Sequence, residues 1–145
     1  MENTNVVIFD IKDYRTPVKK IGDFDLSHNY FILVPLDDEA EEKMYRYQFY
    51  DGEEIRSDFL CLKFFEDTFY VMEDYFFRPL NDKFDLFINM YEEDVISAEN
   101  LDSAIDLVQN VLDNTDDSAV VDFGKRLLEM MGKAKELNTA VGFYF

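Results

Sequence analysis

Residues 101–134 read LDSAIDLVQNVLDNTDDSAVVDFGKRLLEMMGKA, and this stretch decides the fold. Leu101, Ile105, Val108 and Leu112 recur at i, i+4, i+7 and i+11, which places them on one face of an α-helix. Val120, Phe123, Leu127, Met130, Met131 and Ala134 mark a second helix in the same way. Ser97 or Asn100 is expected to cap the first. Asp116, Asp117 and Ser118 form the acidic start of the second, and Lys133 and Lys135 lie near its end, where the helix dipole favours cations.

Outward from the helices the chain reads as strands. Asn5–Ile11 is a β-branched run, and Tyr30–Val34 is wholly apolar, as a central strand would be; Pro35 marks its end. Asp37–Glu42 reads as an acidic turn, and Lys43–Tyr50 as a third strand. Asp51-Gly52 is the strongest turn signal, and a three-residue loop Tyr50-Asp51-Gly52 would pair Tyr47 with Ile55. A second hairpin is expected from Asp58–Phe65 and Thr68–Glu73, turning at Glu66-Asp67, with Pro79 ending the region. Residues 84–91 fit both periods, and their aromatic content favours a strand. Ala140–Phe145 reads as a last strand docking back on the sheet. The expected fold is α+β: a mostly antiparallel sheet from the N-terminal half with two C-terminal helices packed on it. With 145 residues, a single domain spanning residues 1–145 is expected.

Charge carries the functional information. The chain has 32 acidic and 14 basic residues, a net charge of −18. Apolar content of 48% allows a real core, so this is not a disordered acidic tail. So acidic a chain repels phosphates and anionic membrane surfaces, which argues against direct nucleic-acid or membrane binding. A short apolar run such as Tyr30–Val34 is far below the ~20 residues of a bilayer span. No secretory signal is legible and one cysteine fits a reducing compartment, so the expected location is the cytoplasm.

From Phe84 to Gly124 there is no Lys or Arg, while eleven Asp and Glu accumulate. Asp102, Asp106 and Asp113 fall at i, i+4 and i+11, beside the apolar stripe, so they share a solvent-facing side of the helix. Like charges at i, i+4 repel by a few tenths of a kcal/mol. Solubility of a small domain needs a net charge of only ~2–8. The candidate partner-binding residues are therefore Asp102, Asp106, Asp113, Asp116 and Asp117, flanked by Glu92, Glu93 and Asp94. The competing reading is a solvated helix face. A second acidic run, Asp37, Asp38, Glu39, Glu41 and Glu42, reads as a polar turn.

Catalytic signals are weak. His28 is the only histidine and has no evident triad partners. Cys61 lies in the apolar run Phe59-Leu60-Cys61-Leu62 and reads as a buried, inert thiol. Asp113–Asp117 offers oxygen ligands but lacks the glycine and terminal glutamate of an EF-hand loop. Five scattered glycines make no phosphate loop. No enzymatic activity, metal or cofactor is expected. Met130-Met131 and the C-terminal Gly142-Phe143-Tyr144-Phe145 are read as core packing rather than binding surface.

In size, α+β pattern, aromatic-rich strands and strong negative charge, the chain resembles the small acidic immunity proteins of bacterial contact-dependent and polymorphic toxin systems. The resemblance is spread over the whole chain and carries no family motif, so it transfers no functional residue. It implies a cytoplasmic inhibitor that neutralises a basic partner, a nuclease toxin domain above all. Such a site is lined with Lys and Arg that grip phosphates, and a carboxylate-rich surface complements it. The alternative is a phage-type DNA mimic, anti-restriction or anti-CRISPR, aimed at a DNA-binding protein. A mimic should carry rows of carboxylates over an extended face, which the basic segment Lys12–Lys20 and Arg46/Arg56 interrupt. An adaptor domain without a special role for charge is a further alternative.

Overall fold

Among the described residues the apolar stripes close around a five-stranded mixed sheet. The computed structural model describes residues 6–12, 30–46, 58–89 and 93–145. The strands are β1 (Val6–Ile8), β2 (Tyr30–Pro35), β3 (Phe59–Phe64), β4 (Glu93–Ile96) and β5 (Val141–Tyr144). Their order across the sheet is β1-β3-β2-β5-β4; β1 runs parallel to β3, and the other three pairings are antiparallel. The α-helices among the described residues are α1 (Asp38–Tyr45), α2 (Glu66–Met72), α3 (Arg78–Phe84), α4 (Leu101–Asp113) and α5 (Ser118–Leu137). A π turn, Glu73–Phe77, joins α2 to α3, and a 3₁₀ turn, Ala98–Asn100, leads into α4. The fold is α+β, with α4 and α5 packed on the sheet.

Strand alternation divides the core between the two faces. Tyr30, Ile32 and Val34 of β2, Leu62 and Phe64 of β3, and Val141 and Phe143 of β5 pack under α2–α5. Phe31, Leu33, Phe59, Cys61 and Tyr144 face the other way and meet Ala40 and Met44 of α1. Gly142 allows that second contact, because a Cβ there would lie 2.7 Å from the Met44 sulfur and 2.6 Å from the Tyr144 ring. Thr139 donates its hydroxyl to the Pro35 carbonyl (2.9 Å), which ties the start of β5 to the end of β2.

The two C-terminal helices follow their apolar periodicity. All six stripe residues of α5 are buried, with Gly124 among them. A side chain at Gly124 would overlap Leu112 of α4 and come within 2.9 Å of Phe76 in the π turn, so this glycine permits the three-way contact. Asn138 ends α5 in the left-handed conformation, and Thr139 donates back to the Ala134 carbonyl at 2.9 Å, a common helix stop. Leu101 and Val108 of the α4 stripe are buried, and Ile105 and Leu112 pack at the margin of the core. Neither Ser97 nor Asn100 makes a side-chain capping bond, and the 3₁₀ turn provides the entry instead.

Four expectations in the N-terminal half are corrected. The acidic run 37–42 is the start of α1 rather than a turn, and the expected strand Lys43–Tyr50 instead continues that helix through Tyr45, with its residues 47–50 outside the described residues. The Asp37 carboxylate caps α1 by accepting from the Ala40 amide at 2.8 Å, and Asp38 and Glu39 follow in the first turn, where the dipole favours them. The hairpin at Glu66-Asp67 is absent, because β3 passes directly into α2 with these two acids in its first turn. Pro79 does not end the region. It lies in the first turn of α3, just after a π turn in which the Arg78 amide donates to the Glu73 carbonyl. Proline lacks an N–H and clashes with the carbonyl four residues back, and the widened turn accommodates both.

Residues 84–89 do not form a strand. Asp85 ends α3 in the left-handed conformation, and Asn81 then takes both backbone groups of Ile88, accepting its amide at 2.7 Å and donating to its carbonyl at 3.0 Å. A ladder would have used those groups. The expected Asp51-Gly52 turn with its strand around Ile55, the basic segment 13–20, His28 and Glu92 lie outside the described residues.

Candidate partner-binding surface

Helix α4 buries Leu101, Ala104 and Val108, which turns Asp102, Asp106 and Asp113 outward, all three exposed. They span eleven residues, or about 16 Å at 1.5 Å per residue. Asp116 is exposed in the turn beyond the helix. The row seen in the sequence is thus a surface row in the fold.

Not every acid of the set stands clear of structural work. Asp117 caps α5, accepting from the Ala119 amide at 3.0 Å and the Val120 amide at 3.2 Å. Asp94 pins residues 86–88 to the sheet edge, accepting from the Phe87 amide at 2.9 Å, and it also accepts from the Val95 amide at 2.8 Å. Asp113 accepts from the Gln109 side chain at 3.0 Å. Glu93 opens β4. The structure brings Asp102, Asp106 and Asp113 together on α4, adds Asp116 and Asp117 just past its end, and puts Asp94 on the edge strand.

The stretch without Lys or Arg is less isolated than its sequence suggests. Lys135 reaches across from α5 to Asp102 at 2.7 Å. That hydrogen bond, then the charges of Asp102 and Asp106, raise the Lys135 ammonium above its ordinary range. Lys83, on α3, shares with Ser103, Asp106 and Leu107 the lining of an open groove of about 330 Å³. The repulsion along α4 is therefore relieved from neighbouring helices. Each basic residue sits outside the stretch 84–124 in sequence and beside it in space.

Among the described residues, no group of three or more His, Cys, Asp or Glu side chains is placed to hold a metal ion. Cys61 is fully buried, and burial pushes its thiol far above its ordinary range, while Lys63 pulls it slightly back. Such a thiol does not form the thiolate needed for nucleophilic chemistry. No helix among the described residues is long and apolar enough to cross a membrane.

Sequence reading missed one surface. Tyr70 is 56% exposed, Val71 38% and Tyr75 36%, all on α2 and the π turn. A hairpin at Glu66-Asp67, as the sequence suggests, hides the helical neighbourhood of these side chains. Spacing of four residues was the signal that could have found it: Glu66, Tyr70, Asp74 and Arg78 form one line, and Asp67, Val71 and Tyr75 the next.

No family model, no curated protein and no solved structure matches this chain.

Proposed function

We propose that the protein is a non-catalytic, cytoplasmic inhibitor of the immunity class, which binds and neutralises a basic partner, a nuclease toxin above all, through the acidic face of α4. The observation that carries this reading is the exposed row of Asp102, Asp106 and Asp113, continued by Asp116. Three carboxylates on about 16 Å of rigid helix present fixed charge to the Lys and Arg that line a phosphate-binding cleft. The whole molecule's charge of −18 steers such a partner from a distance. Lys83 and Lys135 flank the row, which supports a local epitope over a continuous phosphate-like track.

The test is retention of host cytosolic proteins on the immobilised wild type and on the triple variant Asp102→Lys, Asp106→Lys, Asp113→Lys. The expected result is a basic protein held at low salt, released by a salt step and lost from the variant. Co-expression of the wild type, and not of the variant, should protect cells from that protein. Equal retention by both would overturn the α4 epitope. Absence of any salt-released basic protein would overturn the inhibitor reading itself.

A further inference from the structure

Between β1, β3 and α5 the packing leaves a slot of about 60 Å³. Buried Leu62 and Met130 and half-buried Val7 and Leu60 line it. Val7 pairs with Leu62 across the parallel ladder, so both lean toward α5, and strand alternation turns Leu60 the same way. Cys61 also borders the slot, but it packs with the cluster on the other face of the sheet. Four apolar side chains offer water no hydrogen bonds and favour an apolar occupant. An apolar cavity of ~150 Å³ takes a benzene ring, so this smaller slot suits a few branched carbons rather than an aromatic ring.

The remaining lining residues, Arg126 and Glu129, carry opposite charges. The Arg126 side chain is only 22% exposed, and its Nε donates to Asp122 at 3.2 Å. Its terminal nitrogens, Nη1 and Nη2, have no acceptor among the described residues. Glu129 is exposed and has no ion pair or hydrogen bond among the described residues. At i and i+3 the two share one side of α5, with Cβ atoms roughly 5–6 Å apart. They do not bond to each other, so a donor fork and a free carboxylate stand beside the same apolar slot.

That combination selects among small ligands. A simple carboxylate would meet Asp122 and Glu129 beside the guanidinium, on a molecule of −18. A simple amine would meet the guanidinium itself. A zwitterion is neutral overall and satisfies both groups.

We propose that the slot binds a free α-amino acid with a branched aliphatic side chain, valine or leucine. The side chain fills the space between Val7, Leu60, Leu62 and Met130. The carboxylate accepts from the two terminal nitrogens of Arg126, and the ammonium donates to Glu129. The site shares no residue with the α4 row and goes beyond the inhibitor reading.

The probe is leucine, added to the full chain and followed by NMR. Expected are saturable shifts centred on Val7, Leu60, Leu62 and residues 126–130. Isocaproate lacks the ammonium and isoamylamine lacks the carboxylate, and each should bind about tenfold weaker than leucine. Phenylalanine should cause no shifts at these residues. Glu129→Gln changes an exposed side chain and should leave Tm unchanged, lower leucine affinity about tenfold and make isocaproate bind no more weakly. Absence of saturable shifts with leucine, or shifts centred elsewhere, would overturn the proposal. Equal binding of phenylalanine would overturn the size selection. Isocaproate binding as tightly as leucine, or leucine affinity unchanged in Glu129→Gln, would overturn the zwitterion assignment in favour of a site for simple carboxylates.

Discussion

Replacing Phe77 by alanine tests the packing that unites the helices with the sheet. Phe77 is fully buried, and its ring centroid lies 4.9 Å from Phe145, 5.7 Å from Phe69, and 6.1 Å from each of Phe64, Phe123 and Phe143. Those five rings come from β3, α2, α5, β5 and the C-terminal residue. Phe→Ala in a packed core costs about 3–5 kcal/mol, and each well-oriented ring pair adds roughly 0.5–1.5 kcal/mol to plain burial. A site enclosed by five rings cannot collapse easily, so the expected loss is about 4–5 kcal/mol, at the top of the range. At roughly 3–4 °C per kcal/mol for a chain of this size, Tm should fall by about 12–20 °C. Urea unfolding followed by circular dichroism measures the change, with Phe87→Ala as control. Phe87 is 61% exposed and should change stability by less than about 0.5 kcal/mol. A loss below about 2 kcal/mol for Phe77→Ala, with an unchanged m-value, would refute a central position for this ring.

Other outcomes follow from single groups. Asp117→Ala should cost about 1 kcal/mol by uncapping α5, whereas its neighbour Asp116→Ala should change stability by less than about 0.5 kcal/mol; chemical denaturation distinguishes them. Cys61 should resist Ellman's reagent at pH 8 in the folded protein and react fully in urea, and rapid reaction without urea would show that its strand is accessible. Burial, and secondarily the charge of Asp38, raises the Glu41 carboxyl above its ordinary range. An acid with a higher pKa folded than unfolded binds more protons in the folded state. Its contribution is present in full below its unfolded value and is lost as pH rises through the folded one. Glu41→Gln should therefore raise Tm at pH 7, with the gain vanishing below the usual carboxylate range; a gain that persists in acid would contradict this origin.

Legibility in the sequence depended on whether one period ran unbroken. In α5 it did over fifteen residues, and every stripe residue is buried. In residues 66–84 it did not. Phe69, Met72 and Phe76 follow one helical register, and Phe77, Leu80 and Phe84 follow another shifted by one residue. Neither run is long enough to stand out, and the abundant aromatics favour strand on propensity alone. The π turn reconciles the two, because five-residue spacing lets Met72 and Phe77 share a face. Helix α1 was missed for a different reason. Its eight residues bury only Ala40 and Met44, too little for periodicity to reveal, although the cap at Asp37 and the acids behind it were readable. The candidate site was legible as a row because it lies on a helix whose stripe was legible.

The sequence by itself determined the α+β class, strands within Asn5–Ile11, Tyr30–Val34, Asp58–Phe65 and Ala140–Phe145, both C-terminal helices, and the outward direction of Asp102, Asp106 and Asp113. Each of these follows from local period and composition. Tertiary structure alone decided that β5, the last strand, enters the sheet between β2 and β4, since strand order depends on which apolar faces meet and leaves no local trace. It alone set Lys135 on Asp102, thirty-three residues away, and Lys83 across the groove from Asp106. Charge in sequence is counted along the chain, but charge as a partner meets it is summed over whatever the fold brings within a few ångströms.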